Sequence, residues 1–85
     1  MELAWQTNAW EDYLYWQRTD TKILFRINDL IKDCPRSPFK GIGKPEPLKG
    51  NYAGCWSRRI NDEHRLVYKV ASERLHILQC RFHYK

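Results

Sequence analysis

The chain has 85 residues, with 15 Lys and Arg against 10 Asp and Glu and a formal net charge of +5; that length supports one sheet and one layer of helices but neither a second core nor a deep enclosed pocket, so a large substrate fits better than an engulfed small one. Residues 1–35 carry four basic and six acidic side chains and residues 36–85 eleven and four, so the second half is a polycation whose partner is expected to be a polyanion. No apolar run approaches ~20 residues and no amphipathic helix holds the Lys/Arg excess, which favours nucleic acid over a membrane surface, with phospholipid binding the lesser alternative.

Met1 to Gln6, with Leu3 and Trp5 in one phase, reads as a first strand. Asn8 with Glu11 three residues on resembles a capping box, and Trp10, Tyr13, Leu14 and Trp16 or Gln17 follow at helical spacing, predicting a short helix that ends near Arg18. Asp20 caps a second predicted helix. Its stripe is Ile23, Leu24, Ile27, Leu30, Ile31 and Cys34, its wet face Lys22, Arg26, Asp29, Lys32 and Asp33, and Pro35 stops it. All four prolines lie between Pro35 and Pro47, with Gly41 and Gly43 among them, which predicts an ordered but irregular loop.

The remainder alternates as an antiparallel meander: residues 55–60, a turn at 61–63, residues 64–70, a turn at 71–74, and residues 75–82. Phase puts Leu66, Tyr68 and Val70 on one face and Arg65, Val67 and Lys69 on the other. In the last strand it groups His76, Leu78, Cys80 and Phe82 against Gln79, Arg81 and His83. One face packs the helices, and the other presents Arg59, Arg65, Arg81 and His83, or simply solvates them. The expected fold is thus α+β: a single domain, residues 1–85, with two N-terminal helices packed on one face of a twisted, mainly antiparallel sheet.

Cys34, Cys55 and Cys80 are irregularly spaced and odd in number, and read as reduced thiols of a cytoplasmic protein. There is no Cys-x-x-Cys, no His-x-x-x-His and no acid cluster at metal-ligand spacing, so chemistry without a metal or cofactor is expected. No charged segment followed by an apolar core marks a secretory signal.

Two places concentrate reactive side chains. Arg81-Phe82-His83-Tyr84-Lys85 crowds an imidazole and a phenol between cations, and Glu46, the only acid between Asp33 and Asp62, sits between two prolines with Lys44 and Lys49 nearby. RNA phosphodiester cleavage needs a base for the 2′-OH proton, an acid for the leaving 5′-oxygen and cations for charge building on phosphorus. Glu46 in a stiff backbone suits the base; its plainer reading is a loop glutamate neutralising local lysines. His83 suits the acid; its plainer reading is a solvated end.

The runs Gly43-Lys44-Pro45-Glu46-Pro47-Leu48-Lys49, Gly54-x-Trp56-Ser57-Arg58-Arg59-Ile60, Glu63-His64-Arg65-Leu66-Val67-Tyr68 and Cys80-Arg81-x-His83-Tyr84, with Trp5 and Trp10 to Trp16 before them, resemble the YoeB toxins of the RelE superfamily over essentially the whole chain. The resemblance implies a microbial-ribonuclease-like fold and a toxin of a bacterial type II toxin-antitoxin pair that cuts mRNA in the ribosomal A site. It implies Glu46 as general base, His83 as general acid, Arg65 as transition-state cation and Tyr84 as a positioning aromatic. It also implies that Lys49 and Arg59 hold phosphate, that Glu63 assists proton transfer or orients Arg65, and that Arg81 adds to the substrate-binding cations. The implied partners are a YefM-like antitoxin, the 70S ribosome with its mRNA, a second toxin copy, and operator DNA through the antitoxin only. Core packing is the default for most of Trp5, Trp10, Tyr13, Tyr15 and Trp16, and some of them are expected at the dimer or antitoxin interface. The alternative is a non-cleaving basic module of the same superfamily, such as a ParE-like gyrase poison or an RNA-binding protein. ParE-type relatives lack the Glu46, Arg65, His83 and Tyr84 set.

Overall fold

The computed structural model describes residues 1–83. Strand β1 (Glu2–Trp5) leads into helices α1 (Thr7–Thr19) and α2 (Thr21–Asp33); then come β2 (Glu46–Pro47), a 3-10 turn at Gly50–Tyr52, β3 (Trp56–Arg59), β4 (Arg65–Ala71) and β5 (Arg74–Gln79). The sheet order is β1-β5-β4-β3-β2, antiparallel throughout except for the parallel β1–β5 pair. This is the expected α+β arrangement, with the meander as its centre.

Helix α2 follows its sequence closely. The Asp20 carboxylate accepts from the amides of Lys22 (3.1 Å) and Ile23 (3.3 Å), satisfying two orphan donors of the first turn. Leu24, Ile27, Leu30, Ile31 and Cys34 are buried against Leu66, Tyr68, Leu75 and Ile77 of the sheet. Helix α1 departs from expectation at its start. The β1 ladder runs on through a bond from Gln6 N to the Ile77 carbonyl (3.0 Å), and Trp10 N already bonds the Gln6 carbonyl (3.0 Å). Gln6 is therefore the cap, without a side-chain bond, and Asn8 lies inside the first turn. Ala9 and Trp16 are the buried residues of α1, while Trp10 is exposed and meets Trp5 and Tyr13 in an aromatic cluster with centroids 5.1–5.7 Å apart.

The proline-rich segment is organised by a residue the strand pattern obscures. Arg58 occupies the helix-facing phase of β3 and is wholly buried. Its guanidinium donates to the Asp33 carboxylate (2.6 Å), the Tyr68 hydroxyl (3.1 Å) and the carbonyls of Ser37, Lys40 and Ile42. Asp33, expected to be solvated, is thus an ion-pair partner, and the pairing holds its carboxyl below the ordinary carboxylate value. The Tyr68 hydroxyl passes the network on to the Pro38 carbonyl (2.5 Å). Gly41 is required here, since a Cβ at its φ of +127° would strike the Asp33 carboxylate. The expected irregular loop also closes into a strand sooner than anticipated: Glu46 and Pro47 pair with Ser57 and Trp56 as a two-residue edge, where prolines lose no ladder bond that matters.

The last strand departs most from simple alternation. Val67 pairs with Gln79 but Tyr68 with Ile77, so Leu78 is an extra residue in a bulge. Leu75 and Ile77 face the helices, Leu78 packs on the opposite face, and Cys80 returns to the helix side with its side chain buried. The strand ends at Gln79 rather than at residue 82. The three cysteines are free and buried; burial pushes the Cys34 thiol up to about 11 and the Cys80 thiol up to about 12, which keeps both protonated and inert.

Replacing Arg58 by Met leaves the Asp33 carboxylate and the loop carbonyls without their common donor. The expected loss of stability is measured by urea unfolding. The Asp33 contribution is present above pH 3.8 and fades as the pH falls below it. Arg58→Met therefore flattens the acid limb of the stability profile as well as lowering it.

Candidate active site

The face away from the helices is assembled by register. Glu46 stands across from Ser57, Ser57 from Val67 and Val67 from Gln79, so these four share one row and one face. Arg59 and Arg65 pair directly in the next row of the same face. That face is not bare. Leu48, Cys55 and Val67 are buried as a second apolar cluster with Tyr52 and Leu78 against them. Two clefts open around this cluster. One, about 580 Å³, is lined by Glu46, Lys49 and Tyr52 among others. The other, about 610 Å³, is lined by Asp12, Tyr52, Glu63, Arg81 and His83 among others.

Arg65 is buried, not spread on a wet face. Its Nη1 donates to the carbonyls of Asn61 (2.7 Å), His64 (3.1 Å) and Asp62 (3.3 Å), so the turn before β4 fixes the guanidinium plane. No buried side-chain nitrogen or oxygen among the described residues lacks a partner. Glu63 is exposed, with Oε1 3.7 Å from His64 Nε2. Arg59 is exposed and lines neither cleft; its amide donates to the Gly43 carbonyl (2.7 Å) and its carbonyl accepts from the Arg26 guanidinium (3.2 Å).

The segment carrying His83 is anchored at every residue before it. Cys80 N donates to the Asp12 carboxylate (3.1 Å), and the Cys80 carbonyl accepts from the Trp16 indole (2.8 Å). The Arg81 guanidinium lies 3.6 Å from the Tyr15 ring centre and 4.5 Å from that of Phe82. This corrects the expected open-face position of Arg81: beyond the end of β5 at Gln79 its guanidinium lies over Tyr15 of α1, although it still borders the His83 cleft. Phe82 takes a left-handed φ of 66°, donates its amide to His64 Nδ1 (2.7 Å) and accepts from Arg65 N (3.0 Å). Nδ1 of His64 is therefore the unprotonated nitrogen. The Arg65–Phe82 bond places Phe82 beside β4 on the side away from β3, three strand spacings from β2, or roughly 14 Å. Tyr84 lies outside the described residues.

Three contributors here carried little sequence signal. His64 and Asp12 act on the tail through backbone amides, which no side-chain pattern reveals. Tyr52 belongs to a short turn with no periodicity. Among the described residues no three His, Cys, Asp or Glu side chains converge as a metal site, and no helix is long and apolar enough to cross a membrane.

Residues 5–84 match the family described as YoeB-like toxin of bacterial type II toxin-antitoxin system. The Toxin YoeB of Escherichia coli K12 is 60% identical over 84 residues, covering 99% of this chain and 100% of that protein. The solved YoeB/ParE toxin from Agrobacterium tumefaciens superposes with a TM-score of 0.96 at 57% identity, covering 99% of this chain and 100% of that one. The heterotetrameric YoeB-YefM complex from Staphylococcus aureus matches at a TM-score of 0.90 and 46% identity, and the YoeB dimer of that organism at 0.91 and 46%, each covering 99% of this chain and 98% of the other.

Burial raises the Asp12 carboxyl above its ordinary value, against the Cys80 amide and the Arg81 charge, which pull it down. The fold thus holds the Asp12 proton more tightly than the unfolded chain, and this contribution is full in acid and lost as the pH rises through the raised value. Asp12→Asn, which keeps an acceptor for Cys80 N, is expected to be at least as stable as the parent at pH 7, and Asp12→Ala less stable. Urea unfolding of the two variants at pH 5 and pH 7 measures the difference.

Proposed function

This chain belongs to the YoeB-like toxins of bacterial type II toxin-antitoxin systems, and from that premise we propose that it is a metal-independent endoribonuclease that cleaves mRNA in the ribosomal A site and so arrests translation. The observation that carries the reading is the bond between Phe82 and Arg65 together with the β2–β3–β4 register: one holds His83 beside the buried cation, the other keeps Glu46 on the same face.

The Glu46 carboxylate takes the 2′-OH proton, and the freed oxygen attacks phosphorus in line. Charge that builds on the equatorial phosphate oxygens is met by Nε and Nη2 of Arg65, whose plane is already set by three carbonyls, with Lys49 and Arg59 adding positive field. His83 protonates the departing 5′-oxygen. The products are a 2′,3′-cyclic or 3′-phosphate end and a 5′-hydroxyl, and Tyr84 is assigned to positioning the substrate. Open clefts on an 85-residue chain cannot splay and align several nucleotides alone, so the ribosome supplies the substrate geometry.

Silence in growing cells is assigned to a YefM-like antitoxin whose disordered, acidic segment folds onto the basic face. The Staphylococcus aureus relative is known in complex with YefM and as a dimer, which supports the same assemblies here. Exposed Leu3 and Trp10, beside Trp5 and Tyr13, form the apolar surface available to them. Operator DNA is reached through the antitoxin, and the working compartment is the cytoplasm.

His83→Gln is expected to abolish growth arrest and message cleavage while leaving the melting temperature and antitoxin binding unchanged. Glu46→Gln is expected to slow cleavage by about 10²-fold or more. Primer extension on mRNA in a translating extract reads both; wild-type cutting by His83→Gln removes the acid assignment, and intact message with the parent protein favours a non-cleaving module.

A further inference from the structure

We propose that His64 is a positioning residue for the reaction: its neutral imidazole, accepting from the Phe82 amide through Nδ1, fixes the turn that leads to His83, and a second proton on the ring undoes that turn. The inference rests on the RNA-cleaving reading above and adds to it the group that places its acid.

Phe82 is the residue before His83, and its φ is 66°, a left-handed conformation that is costly for any side chain with a Cβ unless the surroundings enforce it. Both of its peptide groups are tied. The Phe82 carbonyl accepts from Arg65 N (3.0 Å), and Gln79 Nε2 supports the preceding carbonyl of Arg81 (3.0 Å). On the other side the Phe82 amide donates to His64 Nδ1 (2.7 Å). Two consecutive residues, His64 by its side chain and Arg65 by its backbone, thus clasp the turn between them. Nδ1 accepts only while it carries no proton, and protonation sets one N–H against another. The turn then loses the bond on its amide side, and the left-handed residue is free to relax.

The ring itself is held in place. It is buried, lies edge-on to Trp16 with centroids 4.7 Å apart, and its residue is fixed by bonds from His64 N to Asn61 Oδ1 (2.7 Å) and from Ile60 N to the His64 carbonyl (3.0 Å). The charged groups around it come from three sides. Glu63 in its own turn has Oε1 3.7 Å from Nε2, and Asp12 on α1 is close enough for its carboxyl to feel the imidazole charge. Arg65 and Arg81 flank Phe82, and His83 follows it. The acids favour a charged ring, while the cations and the Phe82 amide favour a neutral one.

Two variants separate acceptor from packing. His64→Asn puts an oxygen near the place of Nδ1 and takes no proton, whereas His64→Leu keeps apolar bulk and offers no acceptor. On programmed ribosomes, His64→Leu is expected to lower kcat about tenfold or more with KM within about twofold of the parent, and His64→Asn to recover most of that loss. A merely structural role gives activity that follows the melting temperature instead. As the pH falls from about 8 to about 5, the ratio of the His64→Asn kcat to the parent's is expected to rise, because only the parent loses the Phe82 bond. A second readout needs no cleavage: in amide NMR of the free toxin, the Phe82 proton should move upfield in step with the His64 ring as acid is added. It should lie upfield at every pH in His64→Leu and stay put in His64→Asn. A Phe82 amide that follows the ring in a parent protein that leaves message uncut overturns the nuclease reading and keeps the hold of His64 on the turn. Parent-like kcat in His64→Leu, a loss in His64→Asn equal to that in His64→Leu, or a Phe82 amide indifferent to the ring's proton overturns the positioning role.

Discussion

The buried Arg58 guanidinium is the constraint on which the rest of this molecule depends. A cation with no exposure is tolerated only where its donors are spent, and Arg58 spends them on one carboxylate, one phenol and three backbone carbonyls. Each of those carbonyls belongs to the segment between α2 and β2, which has no ladder of its own. An arginine in a strand thus does for residues 37–42 what hydrogen-bonded secondary structure does elsewhere. Because that segment is fixed, the chain arrives at Gly43 in position to accept from Arg59 N, and Glu46 enters the sheet in register with Ser57. The proposed base owes its place to a residue on the far face of the sheet.

The proposed acid is held by a different device. Residues 80–82 have left the sheet, yet Asp12, Trp16, His64 and Arg65 each bond their backbone. Three of these partners come from elements that also build the core, so the tail is an extension of it. Arg65 serves twice: its amide holds Phe82, and its guanidinium plane is fixed by the preceding turn. Acid and cation are thereby positioned by one backbone bond, and a shift of either moves the other.

Much of the fold was legible in the sequence. The stripe of α2, its Asp20 cap and the meander all follow from local periodicity, because each element buries one face against one neighbour. The last strand was not, since a single extra residue at Leu78 puts His76 and Leu78 on the face opposite Cys80, with which simple alternation groups them. Arg58 could have been suspected: it alternates with Trp56 and Ile60 in a phase that otherwise packs the core, and a charge there demands a partner. Asp33 offered no matching hint, lying on the polar side of its helix. In the site, the side chains with chemistry stood out by type and spacing, whereas the Asp12 and His64 anchors did not, since they act on amides that every residue shares.

The strand order carries a consequence for the birth of the protein. β5 lies between β1 and β4, and its Leu75 and Ile77, with Cys80 just beyond, are wholly buried beneath both helices. The apolar stripes of the first two helices consequently have no complete partner until residues 74–80 have been made. A chain made only as far as β4 therefore has helices with an unfinished partner, and the core closes in a single late step when β5 enters between β1 and β4.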